Sequence, residues 1–132
     1  MSIKSAKQIV DEAYAALLTK GDIDGFLAHF DENSELIEAE SLPYAGHYHG
    51  KDAIRGLVQS LFTYWKDVDY DIERTVFDDE YVVVYGRLNW TSVKNDKRIS
   101  VGLAEVWKIR EGRVLRLHPI FGDTKLALDA VA

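Results

Sequence analysis

One acidic residue interrupts an apolar strand face in the second half of the sequence. Alternate residues of a predicted strand from Arg98 to Ile109 share one face: Ile99, Val101, Leu103, Glu105, Trp107 and Ile109. A carboxylate buried in such a face is costly unless it has a partner or a function. Arg87 and Arg116 are candidate ion-pair partners. Without one, desolvation would raise the pKa of Glu105 and leave a neutral hydrogen-bond donor. We favour a functional role, because perturbed acids cluster at active sites.

Two further proton-handling side chains lie in the first forty residues. Tyr14 stands beside an amphipathic helix stripe. It is either a core aromatic residue or a hydroxyl donor facing a ligand, and helical periodicity does not separate the two. Glu38 alternates with Leu36 on one side of a segment from Glu35 to Glu40. We favour a cavity position for Glu38 over a solvated edge, because Glu40, two residues further on, can occupy the solvated rim of the cavity instead.

A loop from Ser41 to Gly50 is rich in tyrosine and histidine. His47 and His49 flank Tyr48, but the sequence offers no third metal ligand at suitable spacing, so no metal site is predicted. A lid over a pocket mouth is the preferred interpretation of this loop, and a plain surface loop is the alternative. The sequence contains no phosphate-binding glycine loop, dinucleotide fingerprint or nucleophile–His–acid set. We therefore expect no cofactor.

Apolar and aromatic side chains around these acids predict a ligand pocket. The residues expected to line it or to contact a ligand are Leu88, Trp90, Leu103, Trp107, Leu117, Phe121 and Asp123. Burial alone would also explain the aromatic members of this set. Asp123 has a second interpretation as the cap of a terminal helix. His118 alternates with Pro119, so it is expected to face away from the pocket.

The predicted elements are helices followed by a meander of strands. Three helices are predicted: one capped by Ser5 and ending at Gly21, one capped by Asp22 and reaching Phe30, and one from about Asp52 to Trp65. The predicted strands are Glu35–Glu40, Val68–Phe77, Tyr81–Val93, Arg98–Ile109 and Val114–Phe121. Residues 122–132 are predicted as a short helix or a tail. This order is typical of the α+β class.

Length and charge limit the function classes. A chain of 132 residues is sized for one domain, residues 1–132. A net charge of −6 with scattered Lys and Arg argues against nucleic acid as a partner. The absence of cysteine excludes disulfides and thiolate metal sites. The first residues lack a signal-peptide core, and no apolar run approaches membrane-spanning length. We therefore expect a soluble cytoplasmic protein that does not contact membranes.

Three stretches of the chain resemble one protein family. They run from Tyr14 to Phe26 and on from Phe30 to Glu38, from Leu42 to Ile54, and from Glu105 to Leu115. Their spacing and turn residues resemble the SnoaL-like branch of the nuclear transport factor 2-like superfamily, and the first also resembles the opening of a ketosteroid isomerase. The resemblance covers nearly the whole chain. It implies a cystatin-like α+β barrel, in which a cone-shaped, curved antiparallel sheet wraps around a long N-terminal helix and encloses an apolar pocket.

The resemblance also implies roles for individual residues. In ketosteroid isomerases a helix tyrosine donates to the substrate oxygen, a strand acid moves the proton, and a second acid shares the oxyanion hole. These roles fall on Tyr14, Glu38 and Glu105, although both acids are Glu here where the isomerases have Asp. Phe30 and Val58, also expected in the pocket, match supporting tyrosines of some isomerases. Members are commonly homodimers, so the resemblance implies a homodimer here.

Two functions from different classes follow. The first is a small-molecule enzyme, an isomerase or cyclase, that moves a proton next to a carbonyl of a hydrophobic ligand without a cofactor. Glu38 is then the base, and Tyr14 and a protonated Glu105 are the donors. The second is a non-catalytic module for ligand binding or dimerisation, which the two Glu-for-Asp differences support. A hydratase or epoxide-opening enzyme would need an Asp–Arg–Asp group, and Arg87 and Arg116 are expected outside the pocket.

Overall fold

The computed structural model describes residues 4–132 of the chain. The helices are α1 Ala6–Tyr14, continued by a π-helical turn Ala15–Thr19, α2 Ile23–Leu27, α3 Lys51–Tyr64 and α4 Thr124–Val131. The strands are β1 Phe30–Glu38, β2 Gly46–His49, β3 Trp65–Phe77, β4 Tyr81–Ser92, β5 Arg98–Arg110 and β6 Arg113–Phe121. The α+β class predicted from the sequence is confirmed.

The six strands form one curved sheet in the order β2-β1-β6-β5-β4-β3. Neighbouring strands are antiparallel except β1 and β6, which run parallel. Register shifts interrupt the β1–β6, β3–β4 and β5–β6 pairs. Such irregularities bend strands and increase their twist. The sheet therefore forms an open cone whose edges are β2 and β3.

The concave face of the sheet is the core face. On β5 the alternation is clear, because Val101, Leu103 and Trp107 are buried while the residues between them are partly exposed. Helix α1 starts with the predicted capping box, in which Ser5 and Gln8 exchange hydrogen bonds of 3.2 and 2.8 Å. Its buried stripe packs into the same core as the sheet. This packing fixes α1 across the concave face.

Several predicted boundaries were wrong. Phe30 begins β1 and does not end α2, because its ring is fully buried against Phe26 and the sheet. Trp65 begins β3 and does not end α3. The segment from Ser41 to Gly50 is not a plain loop, because β2 pairs with β1 from Gly46 to His49. A pairing partner distant in sequence decided each of these cases.

The structure also shows how the last residues of the chain fold and what Asp123 does there. Residues 124–131 form helix α4, and Asp123 is its N-cap, accepting a hydrogen bond of 2.9 Å from the Lys125 backbone N–H. No helix within residues 4–132 combines the length and apolarity that crossing a bilayer requires.

Candidate active site

The hydroxyl of Tyr14 is the centre of a partly buried hydrogen-bonded group. It donates to Glu105 Oε1 at 2.6 Å and accepts from Trp107 Nε1 at 3.1 Å. Tyr14 is the last residue of α1, at the point where the helix changes to its π-helical turn. Local π-helical turns are frequent at functional sites. Burial and the adjacent Glu105 raise the pKa of the Tyr14 hydroxyl well above its usual value, so it keeps its proton.

Glu105 has a phenol as its partner and no guanidinium. Burial raises the pKa of Glu105 to about 7, while the hydrogen bond from Tyr14 acts in the opposite direction. The two arginines considered as partners are both elsewhere. Arg87 donates to Ser100 Oγ at 3.0 Å, and Arg116 lies 3.7 Å from Glu35. The ion-pair interpretation of Glu105 is therefore wrong, and its carboxyl is held in the core by a neutral donor.

Glu38 is the second buried acid, with a side chain only 6% exposed. It ends β1, and its carboxyl accepts no side-chain hydrogen bond from the described residues. Burial first, and the nearby Glu105 second, raise the pKa of Glu38 to about 8. A carboxyl without a donor ionises less readily than one with a donor. Glu105 therefore loses its proton before Glu38 does.

Strand register places the two acids on either side of Pro119. Glu105 on β5 pairs with Pro119 on β6. Leu36 on β1 pairs with Leu117 on β6, so Glu38 and Pro119 each lie two residues further along their parallel strands. Two inter-strand spacings put the backbones of the two acids about 10 Å apart. Both side chains reach the concave face, where Pro119 forms the surface between them.

The two acids and Tyr14 line one cavity of about 120 Å³ on the concave face. Six of the predicted pocket residues line it with them: Val58, Leu88, Trp90, Leu103, Trp107 and Leu117. Three predicted residues do not. Phe30 is buried behind Trp107, and Phe121 packs against Trp90 with ring centroids 6.0 Å apart. Asp123 caps α4, which was its second interpretation, and it is not among the residues that line the cavity.

The sequence interpretation missed part of the cavity wall. The additional lining residues are Leu17, Leu18, Phe26, Leu36, Leu61, Phe62, Trp65, Val68, Tyr70 and Pro119. Tyr70 is the informative member, because its hydroxyl donates to the backbone oxygens of Val84 and Leu103 at 2.8 and 3.0 Å. The alternation of Val68 and Tyr70 on β3 was a signal for these two residues. The same alternation was a signal for Leu36 beside Glu38 and for Pro119 beside Leu117, whereas the helical residues depend on how α1, α2 and α3 pack.

Aromatic rings form much of the remaining wall. Trp65 and Trp90 stack with centroids 4.1 Å apart and planes 5° apart, and the Trp65 indole N–H donates to the Tyr44 hydroxyl at 3.0 Å. Tyr44 is buried within the segment that was predicted as a lid. That segment instead packs one of its tyrosines into the core. A lid motion of the whole segment would break this hydrogen bond.

The histidines of the same segment lie at the surface. His47 and His49 are exposed, and His49 Nε2 lies 3.4 Å from Glu35 on the outer side of the sheet. Within residues 4–132 no group of three or more His, Asp or Glu side chains is arranged to hold a metal ion. The chemistry that this site can perform with its own side chains is proton transfer, since it contains two titratable carboxyls and a phenol.

The fold is shared by solved structures of similar size. A nuclear transport factor 2-like protein from Burkholderia xenovorans is 25% identical, with 100% of this chain and 99% of that chain covered and a TM-score of 0.86. TerC, co-crystallised with polyporic acid, is 20% identical, with coverages of 95% and 96% and a TM-score of 0.84. A proposed SnoaL-like polyketide cyclase from a Jannaschia species is 14% identical, with coverages of 99% and 97% and a TM-score of 0.79.

The family assignment comes from the sequence. No protein with a curated description matches this chain. The model of the SnoaL-like domain, however, matches residues 10–117. That span contains Tyr14, Glu38 and Glu105, as well as five of the six strands in full. The chain therefore belongs to the SnoaL-like family of the nuclear transport factor 2-like superfamily.

Proposed function

We propose that this protein is a cofactor-independent acid–base catalyst that moves a proton next to the carbonyl group of a small hydrophobic molecule. The observation that carries the proposal is the meeting of Tyr14, Glu105 and Glu38 in one apolar cavity. Titratable pairs whose surroundings separate their pKa values are the usual arrangement for acid–base work. The proposed SnoaL-like polyketide cyclase of the same fold is consistent with carbonyl chemistry.

The two carboxyls have different roles in this proposal. The hydrogen bond from Tyr14 favours the ionised form of Glu105, which therefore acts as the base. The carboxyl of Glu38, which has no hydrogen-bond partner among the described residues, stays protonated and acts as the acid. This assignment reverses the roles that the family resemblance implied. Tyr14 does not contact the reacting atoms here. It positions Glu105 and sets its proton affinity.

The reaction can proceed without a second charge in the cavity. Glu105 takes a proton from the carbon next to the carbonyl, and the C–H electron pair forms the C=C bond of an enol. Glu38 gives its proton to the carbonyl oxygen in the same step, so the negative charge moves from one carboxylate to the other. In the second step Glu105 returns the proton to a different carbon and Glu38 recovers its own. One charge in a low-dielectric site costs less than two.

The test is the conversion of a β,γ-unsaturated ring ketone, such as cyclohex-3-enone, into its conjugated isomer, followed by ultraviolet absorbance. We expect a bell-shaped dependence of kcat/KM on pH with its maximum between about 7 and 8, because the active form holds one proton on the pair. Glu105→Gln and Glu38→Gln should each lower kcat by roughly 100-fold or more. Tyr14→Phe should shift the acidic limb to higher pH, since Glu105 loses its donor.

Glu40→Gln is the matched control, because Glu40 follows β1 and is exposed outside the cavity. Its activity should equal that of the unaltered protein. Circular dichroism and thermal unfolding of every variant separate a lost proton donor from a lost fold. Full activity in both Glu105→Gln and Glu38→Gln would contradict the proposal.

A non-catalytic ligand-binding module is the second candidate. The observation that favours it is that both tyrosine hydroxyls of the cavity are already committed, Tyr14 to Glu105 and Tyr70 to backbone oxygens. Such a cavity has few groups left to stabilise a developing charge. Calorimetric binding of ring ketones without any conversion, across pH 5 to 9, would favour this module over the enzyme.

A further inference from the structure

The size of the cavity limits what can enter it. Its volume is about 120 Å³. A protein cavity of about 150 Å³ lined by apolar side chains is large enough for benzene. The space between Leu103, Leu88 and Val58 is smaller than that, so it accommodates at most one five- or six-membered ring. A four-ring skeleton would require several of these buried side chains to move.

The positions of the acids agree with a ligand one ring wide. Glu38 and Glu105 flank Pro119 from strands about 10 Å apart, and all three residues line the cavity. Trp107, which is fully buried, lines the same cavity. A flat ring lying over Pro119 has one of the two acids on each side. Two fused rings in the same plane need a wider gap between these acids than one ring does.

The charge of the cavity wall selects against anions. No Lys, Arg or His side chain is among the described residues that line it. Arg87 on β4 and Arg116 on β6 are engaged outside the cavity. A ligand carboxylate or phosphate would meet the negative charge of Glu105 in a medium of low dielectric, without a compensating cation. A neutral group avoids that repulsion: a hydroxyl can donate to the carboxylate of Glu105, and a carbonyl can accept from the protonated carboxyl of Glu38.

We propose that the ligands of this site are uncharged molecules with a single five- or six-membered ring carrying a carbonyl or hydroxyl group, and that fused-ring and anionic molecules are excluded. This inference rests on the proposed function for the identity of the site. It adds the size and charge of the substrate. Leu61 and Val58, both on α3, are the residues that set the size limit, because they close the cavity opposite the sheet.

The test is isothermal titration calorimetry with a matched series of phenols at pH 7.5. The series is p-cresol with one ring, 2-naphthol with two rings, estrone with four rings, and 4-hydroxybenzoate as the charged counterpart of p-cresol. We expect p-cresol to bind at least roughly tenfold more tightly than 2-naphthol, a difference of about 1.4 kcal/mol, with no measurable binding of the other two. Leu61→Ala should raise the affinity for 2-naphthol and leave 4-hydroxybenzoate unbound.

Each outcome decides one question. Equal or tighter binding of 2-naphthol or estrone by the unaltered protein overturns the size limit, and binding of 4-hydroxybenzoate overturns the charge limit. Failure of all four phenols to bind overturns the inference as a whole. Binding in the expected order together with no turnover of any ring ketone leaves the inference standing and removes the proposed enzyme activity. Turnover of fused-ring ketones with the predicted pH profile would support the proposed enzyme activity and overturn the size limit.

Discussion

The hydroxyl of Tyr14 has a single proton, and it uses that proton to donate a hydrogen bond to Glu105. This hydrogen bond distinguishes two acids that share one cavity. Glu105 has a donor and Glu38 has none among the described residues, so their carboxyls differ in proton affinity although both line the same apolar cavity. Glu105 in turn raises the pKa of Glu38, because a second negative charge in the cavity would be repelled. One proton on the pair is the favoured state near neutral pH.

The raised pKa of Glu38 predicts a stability that falls as the pH rises. Folded Glu38 keeps its proton up to about pH 8, whereas the unfolded side chain loses it near its ordinary pKa of 4.5. The contribution of protonated Glu38 to the free energy of unfolding is fully present below pH 4.5. It is lost as the pH rises through 8, with a magnitude of up to about 5 kcal/mol. Glu105 acts in the same direction over a narrower range. Urea unfolding at intervals from pH 5 to 8.5 measures the slope.

Glu38→Gln should reduce this slope, because a neutral amide has no proton to lose in the window. Glu40→Gln should leave it unchanged, since Glu40 is exposed. A slope equal in both variants and in the unaltered protein would show that Glu38 titrates as it does in the unfolded chain.

At the scale of elements, the contact between β3 and β4 holds one wall of the cavity. The pairing shifts register between Ile72 and Arg74, next to Gly86 on β4. A Cβ atom built on Gly86 would lie 2.1 Å from the backbone oxygen of Asp71. Glycine therefore allows β3 to approach β4 closely where β3 bends. Tyr70 precedes Asp71 on β3. Its hydroxyl reaches the backbone oxygens of Val84 and Leu103 only while β3 lies this close to β4.

Gly86→Ala should destabilise the fold by roughly 3 kcal/mol, because the obstructing atom is backbone and cannot rotate away. Gly102→Ala is the matched control on the neighbouring strand β5, since a Cβ atom there meets nothing within 4 Å. It should change the free energy of unfolding by less than about 0.5 kcal/mol. Chemical denaturation of both variants gives the comparison. Equal losses would mean that the bend does not depend on close approach.

At the scale of the whole molecule, the convex face of the sheet exposes apolar side chains. Tyr85, Ala104 and Ile120 lie side by side on β4, β5 and β6, and Tyr85 and Ile120 are 51% and 50% exposed. Val76 on β3 is 59% exposed on the same face. Contiguous exposed apolar surface of this kind marks interaction sites. We propose that a second copy of the chain covers this face, as the family resemblance implied.

Sedimentation equilibrium tests this association. The expected mass is twice the 15.0 kDa of one chain. Ile120→Lys and Tyr85→Lys should each lower the mass towards that of one chain, because a buried ammonium without a partner opposes association. Leu126→Lys is the control, since Leu126 is 42% exposed on α4, away from this face. A mass of 15.0 kDa for the unaltered protein would contradict the proposed homodimer.

Residue patterns along the chain were sufficient to predict the class of the fold, the meander of β4, β5 and β6, and the acid in the apolar face of β5. These features depend on local patterns: period-two alternation, capping residues at Ser5 and Asp22, and turn residues between strands. The same periodicity placed Trp107 and Leu103 beside Glu105 in the cavity. Local patterns suffice because they record which face of an element is buried.

The hydrogen-bond partners of the site residues became known only from the tertiary structure. The bond between Tyr14 and Glu105 joins residues 91 positions apart, and it replaces both the free donor and the arginine partner considered from the sequence. The pairing of Phe30 with Val114, which begins β1 beside β6, is similarly non-local. Periodicity specifies the face on which a side chain lies but not the atom that it meets. The partner of a buried carboxyl, and hence its pKa, is therefore set by packing between elements distant in sequence.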